Sequence, residues 1–411
     1  MDMVPASGQN LKQSSDWIDW LATHHDATLS LHPEVMILAA RYGDGHLRAA
    51  KAVALQLLLM DSHISLGILD YYRFVNPGLD NLIRWGYLTS VKRAPSLWRW
   101  FYMSTQSIDP MSHTQRMINH IGMRRFYLAL KEVPPKLIVS TYPTAAGVVS
   151  TLKQQGKLDA INFVVMTDYS VHSQWIHPAV DMYFVGSEDM RNELLDRRVP
   201  DSKIIVSGIP VDERFQEDVD VDHAMASLGV DPNLPILLFM GGAYMPIGEY
   251  AQVLKMLDKI PAKHTTIVIA GHEPVRMDLA KQYRRSAVNP MVVLGYVDNV
   301  HELMAVSSLL ISKAGGLTTT ESLCRGLPTI IYRPIPGQED ANAEFLVRNG
   351  AGRRAHSEED LEEIVTHLLE HPWELKSMAH QARALGHADA AQIVAQQIYL
   401  ALQNEEANAP A

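Results

Sequence analysis

The chain alternates short apolar runs with longer stretches in which apolar residues recur at helical spacing. In the first half, "VMILAA" (35–40), "KLIVST" (136–141), "NFVVMT" (162–167) and "DMYFVG" (181–186) carry apolar residues at nearly every position. In the second half, "PILLFMGG" (235–242), "TTIVIAG" (265–271), "MVVLGY" (291–296), "LLISKAGG" (309–316) and "PTIIYRP" (328–334) repeat the pattern. A strand with no polar face is covered on both sides, as in a parallel sheet between helix layers. Each half is therefore predicted to be a doubly wound α/β domain.

The two strand series part at "SGIPVDERFQEDVDVDHAMASLGVDPNLP" (207–235), which is acidic and carries prolines. The predicted layout is one domain over 30–207, a linker over 208–233, a second domain over 234–385 and a C-terminal helix over 386–404. "DAAQIVAQQIYLALQ" in that last segment is expected to pack back on the first domain. The tail "NEEANAPA" reads as disordered. The "DVDVD" run (218–222) mimics an Asp-x-Asp metal element but follows no buried strand, so it reads as a solvated linker face.

At 411 residues the chain has material for two or three cores. Its net charge of −10 argues against nucleic acid as a partner. Cys324 is the only cysteine, which excludes an internal disulfide and a cysteine-based zinc site and fits a reducing compartment. The start "MDMVPASGQN" has no basic region leading into an apolar core, so no signal peptide is expected. No apolar run reaches the roughly 18–20 residues of a spanning helix. A cytoplasmic protein, soluble or peripheral to the membrane, is the expectation.

Two stretches carry candidate chemistry. In "AARYGDGHLRAAKAV" (39–53), Gly43 and Gly45 permit a tight turn between the first strand and its helix. His46 opens that helix at the carboxyl edge of the sheet, where open α/β folds bind ligands. Arg48 stands where a dinucleotide motif would place its third glycine. His46 is either a general base for a hydroxyl or a helix-start histidine bonded to the loop. Asp44 is a helix cap or a partner of that histidine. Asp168, in "VVMTDYSVHSQW", ends another strand on the same edge and either orients a base, binds a hydroxyl or caps a turn. His172 and Trp175 line the same cleft or are, respectively, a surface histidine and a packed indole.

In "KAGGLTTTES" (313–322), Thr318 and Glu321 have the spacing of a capping box. Gly315 and Gly316 directly after a buried strand bare backbone N–H groups at a helix start, an anion site. Gly241 and Gly242 end the first strand of the same domain in the same way. In "YRPIPGQEDANAEFL" (332–346), Gln338, Glu339 and Asn342 together donate and accept hydrogen bonds, as a reader of sugar hydroxyls must.

"YGDGHLRAAKA" and "KAGGLTTTESLCRGLPTIIYRPIPGQEDANAEFLVRNGAG", with "TDYSVHSQWIHPAVDMYFVGSE" between them, resemble glycosyltransferase family 28. The nearest group is that of monogalactosyldiacylglycerol synthases and processive diacylglycerol glucosyltransferases. The resemblance spans about residues 35–352 and implies a GT-B fold, two Rossmann-like domains facing across a cleft. It implies a lipid acceptor in the first domain and a UDP-hexose donor, glucose or galactose, in the second, with no metal and no other cofactor. His46 then corresponds to the base, and Asp168 is a second candidate catalytic residue, its partnership with His46 left open. Glu321 corresponds to the ribose-binding glutamate, Gln338, Glu339 and Asn342 to the donor-sugar segment, and Tyr296 and Val297 to the uracil contact. Gly241 and Gly242 fall on the phosphate turn. Gly45, Gly315, Gly316, Leu317 and Thr318 fall on further donor-contacting positions. The first loop has fewer glycines than in the plant galactolipid enzymes, and its Asp44 is similar to the bacterial glucosyltransferases.

Residues 82–125 carry seven arginines and lysines, including Arg84, Lys92 and Arg124, against Asp109 alone. Trp85, Tyr87, Trp98, Trp100, Phe101 and Tyr102 interleave with them. Such a segment suits an anionic membrane surface, with diacylglycerol as the acceptor held there; the alternative is core aromatics under a solvated cationic face. Trp17 and Trp20 lie among acidic residues and read as ordinary packing. Inverting transfer is the expected reaction, with a UDP-sugar 2-epimerase of the same architecture or a non-catalytic UDP-sugar sensor as rivals.

Overall fold

The computed structural model describes residues 33–41, 45–75, 100, 104, 120, 122–242 and 245–408. Trp17, Trp20, Gly43, Asp44 and most of the basic and aromatic segment lie outside the described residues. Two six-stranded sheets form the chain. The first holds β1 (Val35–Ala39), β2 (Leu66–Asp70), β3 (Leu137–Ser140), β4 (Ile161–Val165), β5 (Met182–Val185) and β6 (Ile204–Val206), in the order β2-β1-β3-β4-β5-β6. The second holds β7 (Ile236–Met240), β8 (Thr265–Ile269), β9 (Met291–Leu294), β10 (Leu309–Ser312), β11 (Thr329–Tyr332) and β12 (Gly352–Ala355), in the order β12-β11-β10-β7-β8-β9. Every pairing is parallel.

Strand order locates the sites. A doubly wound sheet opens a crevice where successive connections leave to opposite sides. In the first sheet that point lies between β1 and β3, so the segments after Ala39 and Ser140 border it. In the second it lies between β7 and β10, so Gly241–Gly242 and Gly315–Gly316 border it.

Alternate residues of β1 feed two cores. Val35, Ile37 and Ala39 pack with the helix Gly45–Met60, while Met36 and Leu38 pack with Ala145, Val148 and Val149 of the helix Pro143–Gln154. The helix Ala390–Asn408 inserts Val394, Ala395, Ile398 and Leu402 into the first of these, so the end of the chain completes the first domain. That helix continues through Asn408, past its last buried residue, into the tail that reads as disordered from the sequence. Its Gln, Glu and Ala residues are good helix formers, which extends the helix beyond the packed part.

The stretch read as linker is folded in part. Val211, Phe215, Ala224 and Val230 are buried with Ile236, Leu238 and Leu310 of the second domain. Its helix Val221–Leu228 is capped by Asp220, whose carboxylate accepts from the His223 amide at 3.0 Å. The acidic run is therefore a helix start rather than a free chain.

One residue of the first domain is built into the second. Tyr169 is 7% exposed, stacks on Phe345 at 4.2 Å and shares a hydrogen bond with the Thr320 hydroxyl at 3.1 Å. It lies in a core with Ile209, Leu323 and Leu346. This aromatic peg fixes the register of the two sheet edges.

Candidate active site

His46 is the second residue of the helix Gly45–Met60. Its Nδ1 lies 2.7 Å from the Thr141 carbonyl and 2.8 Å from the Thr167 hydroxyl. Thr141 follows β3, and its own hydroxyl reaches the Leu38 and His46 carbonyls at 3.2 and 3.0 Å. The ring meets Tyr142 edge-on at 5.1 Å. Burial lowers its pKa to about 4, partly offset by the bond to Thr141. The imidazole is therefore neutral at physiological pH and can accept a proton.

The next residue after Thr167 turns the other way. Asp168 Oδ1 accepts from Asn342 Nδ2 at 3.2 Å, across the domain boundary. The groups bonded to His46 Nδ1 are Thr141 and Thr167, not Asp168. Burial raises Asp168 to about 6, with the Asn342 bond opposing. Trp175 is packed at 4% exposure, and His172 is buried rather than at the surface, its ring capping the short helix that follows.

Gly316 shows why a glycine follows β10. A Cβ there would lie 2.1 Å from the Thr167 carbonyl oxygen and 2.7 Å from Asp168 Oδ1. The first domain rests directly on the start of the helix Gly316–Arg325, and a side chain would drive the two apart. The Asp168 carboxylate thus sits by a helix N-terminus, where the dipole favours an anion. Before it, Ala314 holds a left-handed φ of 66°, a conformation costly for alanine. The Asn342 amide donates to the Ala314 carbonyl at 3.0 Å and helps hold that turn.

The capping box expected from Thr318 and Glu321 does not form. The helix begins earlier, with Gly315 at its cap, so Thr318 lies in the first turn and Glu321 in the second. Glu321 is instead a buried carboxylate, 1% exposed, whose Oε1 lies 3.4 Å from Arg48 Nη1 of the first domain. Burial raises it to about 7, with Arg48 opposing. Glu339 is 8% exposed and rises to about 8 for the same reason, against the bond its Oε2 accepts from the Ile335 amide at 2.5 Å. Lys313 faces it electrostatically and is itself lowered by burial. Gly315 lies beside Glu339 Oε1. Carboxylates so short of solvent favour groups that donate hydrogen bonds to them, as hydroxyls do.

Asn342 is fully buried and its amide is already used. Besides its two donated bonds, its Oδ1 accepts from the Tyr169 amide at 2.7 Å. The structure places it in the contact between the domains, while Gln338, half-buried, and Glu339, buried, open the helix Gln338–Arg348. At the other rim, Gly242 has φ 66° and Gly241 fits against Met245 and Tyr250. Tyr296 is exposed and stacked on His272 at 4.1 Å, with Val297 partly packed below.

Three residues that shape the candidate site had no sequence signal of their own. Arg276 bonds the Gly242 carbonyl at 2.7 Å and the Met245 carbonyl, and so shapes the turn after β7 from another helix. Thr141 and Thr167 reach His46 only because β1, β3 and β4 are adjacent.

Residues 46–211 match the monogalactosyldiacylglycerol (MGDG) synthase family, and residues 240–394 match the glycosyltransferase family 28 C-terminal domain. The chain is 30% identical over 354 residues to a processive diacylglycerol beta-glucosyltransferase of Staphylococcus carnosus, across 86% of this chain and 88% of that one. Its architecture is similar to the crystal structure of Acinetobacter baumannii MurG, with TM-score 0.58 at 16% identity over 89% and 98% of the two chains. A UDP-glucosyltransferase from Polygonum tinctorium superposes with TM-score 0.59 at 11% identity over 90% and 98%. These structural likenesses speak to the fold, which is GT-B. With the sequence match running through both sheets and both glycine turns, the chain belongs to glycosyltransferase family 28, in the monogalactosyldiacylglycerol synthase and processive diacylglycerol glucosyltransferase group.

Proposed function

We propose that the protein moves a hexose from UDP-glucose or UDP-galactose to the hydroxyl of diacylglycerol, with inversion and without a metal, at the cytoplasmic face of a membrane. The observation that carries this reading is one bonded path across the domain boundary. His46 meets Thr167, the next residue Asp168 meets Asn342, and Thr167 rests on Gly316 at the start of the donor-side helix. A neutral base thus adjoins an anion-favouring helix start, the pairing a displacement at an anomeric carbon requires.

The acceptor hydroxyl gives its proton to His46 as its oxygen bonds the anomeric carbon, and the bond to the diphosphate oxygen breaks. UDP leaves with its charge held by the amides and dipole at Gly315–Gly316 and by the turn at Gly241–Gly242. Glu321 accepts from the ribose hydroxyls, Gln338 and Glu339 from the hexose, and Tyr296 with Val297 borders the uracil. Attack on an α-linked donor gives a β-glycoside. The matched relatives named for diacylglycerol glucosyl transfer support the lipid acceptor.

Among the described residues, no helix is long and apolar enough to cross a membrane. Trp100 is 67% exposed, and Arg124, Leu128 and Lys131 form an exposed stripe on and just after the helix Met123–Leu130. These supply the cations and the apolar edges that a peripheral contact with anionic lipid needs.

The test is a transfer assay with each UDP-hexose, diacylglycerol and anionic liposomes under excess chelator, with the lipid product read by mass spectrometry and its anomeric linkage by NMR. A β-hexosyl-diacylglycerol from one donor is the expected result. An α-linked product, or activity that requires added metal, overturns the mechanism; UDP binding with no lipid product overturns the acceptor.

A further inference from the structure

The chemistry proposed above needs one nitrogen of His46 to be free of its proton, and the structure shows which. A carbonyl oxygen has no hydrogen to give. Since His46 Nδ1 lies 2.7 Å from the Thr141 carbonyl, Nδ1 carries the hydrogen and donates it. The alternative tautomer would set a nitrogen lone pair against a carbonyl lone pair at that distance. The Thr167 hydroxyl at 2.8 Å then receives the same N–H as a second acceptor. Among the described residues nothing bonds Nε2, so the lone pair is there.

We propose that Thr167 is a positioning residue: together with the Thr141 carbonyl it holds His46 as the Nδ1–H tautomer and aims Nε2 as the proton acceptor. This is the task a carboxylate often performs for a catalytic histidine. Here a hydroxyl and a backbone carbonyl do it, and the neighbouring carboxylate of Asp168 is spent on Asn342. The arrangement has a consequence for charge. When Nε2 takes the acceptor's proton, the resulting imidazolium keeps its Nδ1–H bonds and gains no buried counter-ion from them, so the proton is easily passed on to solvent or product.

Thr167 also links the base to the donor side. It is 6% exposed, its carbonyl lies against Gly316, and the following two residues are bonded to Asn342. The helix start of the second domain therefore presses on the same residue whose hydroxyl meets the imidazole.

This inference rests on the transferase reading, and its test separates the two. The ring nitrogens of His46 in the full-length protein are assigned by ¹⁵N NMR, using His46→Ala to identify them. At pH 7 the expected spectrum has a protonated Nδ1 and a pyridine-like Nε2. A protonated Nε2 overturns the proposal whether or not any lipid is glycosylated. In the transfer assay, Thr167→Val is expected to lower kcat roughly ten-fold with KM for the UDP-sugar nearly unchanged, because the ring loses its second anchor while the Thr141 carbonyl keeps Nδ1 protonated. Thr167→Ser, which restores the hydroxyl, should recover most of kcat. Wild-type kcat in Thr167→Val, or loss in Thr167→Ser as deep as in Thr167→Val, overturns it. An unmutated protein that binds UDP, shows the expected tautomer and glycosylates no tested acceptor would count against the transferase reading alone.

Discussion

The two sheet edges that face each other are built on opposite plans. On the first, one imidazole is fixed by neighbouring side chains and carbonyls: Thr141, Thr167 and Tyr142 surround it. On the second, glycines stand where the strands end, Gly241 and Gly316 packed against neighbours and Gly242 and Gly315 more open, and the buried carboxylates beyond them, Glu321 and Glu339, meet Arg48 and the Ile335 amide. In the proposed reaction the first edge is held by the protein's own groups, whereas the second offers carboxylates for the donor's hydroxyls. Changes at the first should act on kcat, and changes at the second on binding.

The sharpest break in that comparison is His46→Ala. It should reduce transfer roughly a hundred- to ten-thousand-fold, while UDP affinity by calorimetry stays within about two-fold of the parent. A large loss of UDP affinity would show that the first edge also binds. Next comes Glu321→Gln, which keeps the volume and removes an anionic acceptor. UDP affinity should fall on the order of ten-fold, the scale of one hydrogen bond to a charged group. Unchanged affinity would leave Glu321 only its contact with Arg48.

Gly316→Ala tests the contact between the edges. The new methyl meets the Thr167 carbonyl, so the protein should lose about 1–3 kcal/mol of stability by denaturant unfolding and transfer should fall as the edges separate. Wild-type stability would mean the domains part at no cost.

The smallest expected effect is on pH dependence. Glu339 titrates near 4.5 when unfolded and at about 8 when folded, raised by burial. Between those values the native state binds more protons, so its stability falls as pH rises. Glu321, raised to about 7, adds to the lower part of that fall. His46 and His177, both lowered by burial to about 4 from 6.5, act in the opposite sense but only below 6.5. From pH 6.5 to 8, then, Tm should drop, and Glu339→Gln should flatten the drop. A Tm that rises across this window would show that these carboxylates are not desolvated in the native protein.

How much of this was legible follows from which forces are local. The interior strands β1, β3, β4, β7 and β10 are read directly, because burial on both faces makes nearly every position apolar. β2, β6 and β12 lie at sheet edges and escape notice. β12 is Gly-Arg-Arg-Ala, held by its pairing to β11 and not by its own apolar content. Gly315 and Gly316 are visible as a pair, yet the reason Gly316 must be glycine, the carbonyl of Thr167, lies across the domain boundary. Thr318 and Glu321 mislead because their spacing is that of a cap while the helix is capped three residues sooner, at Gly315. Asn342 is visible as a polar residue in a loop-like stretch, and only the fold shows its amide joined to both domains.

The return of the helix Ala390–Asn408 to the first core sets an order of events during synthesis. Val394, Ala395, Ile398 and Leu402 share one core with β1 and the helix Gly45–Met60, yet they leave the ribosome after the whole second domain. The first domain therefore waits, with an apolar groove open, while its partner is made and folded. A chain cut short after residue 385 would keep both sheets and lose the last wall of the first, and a chaperone that shields newly made chains would find that groove for as long as translation lasts.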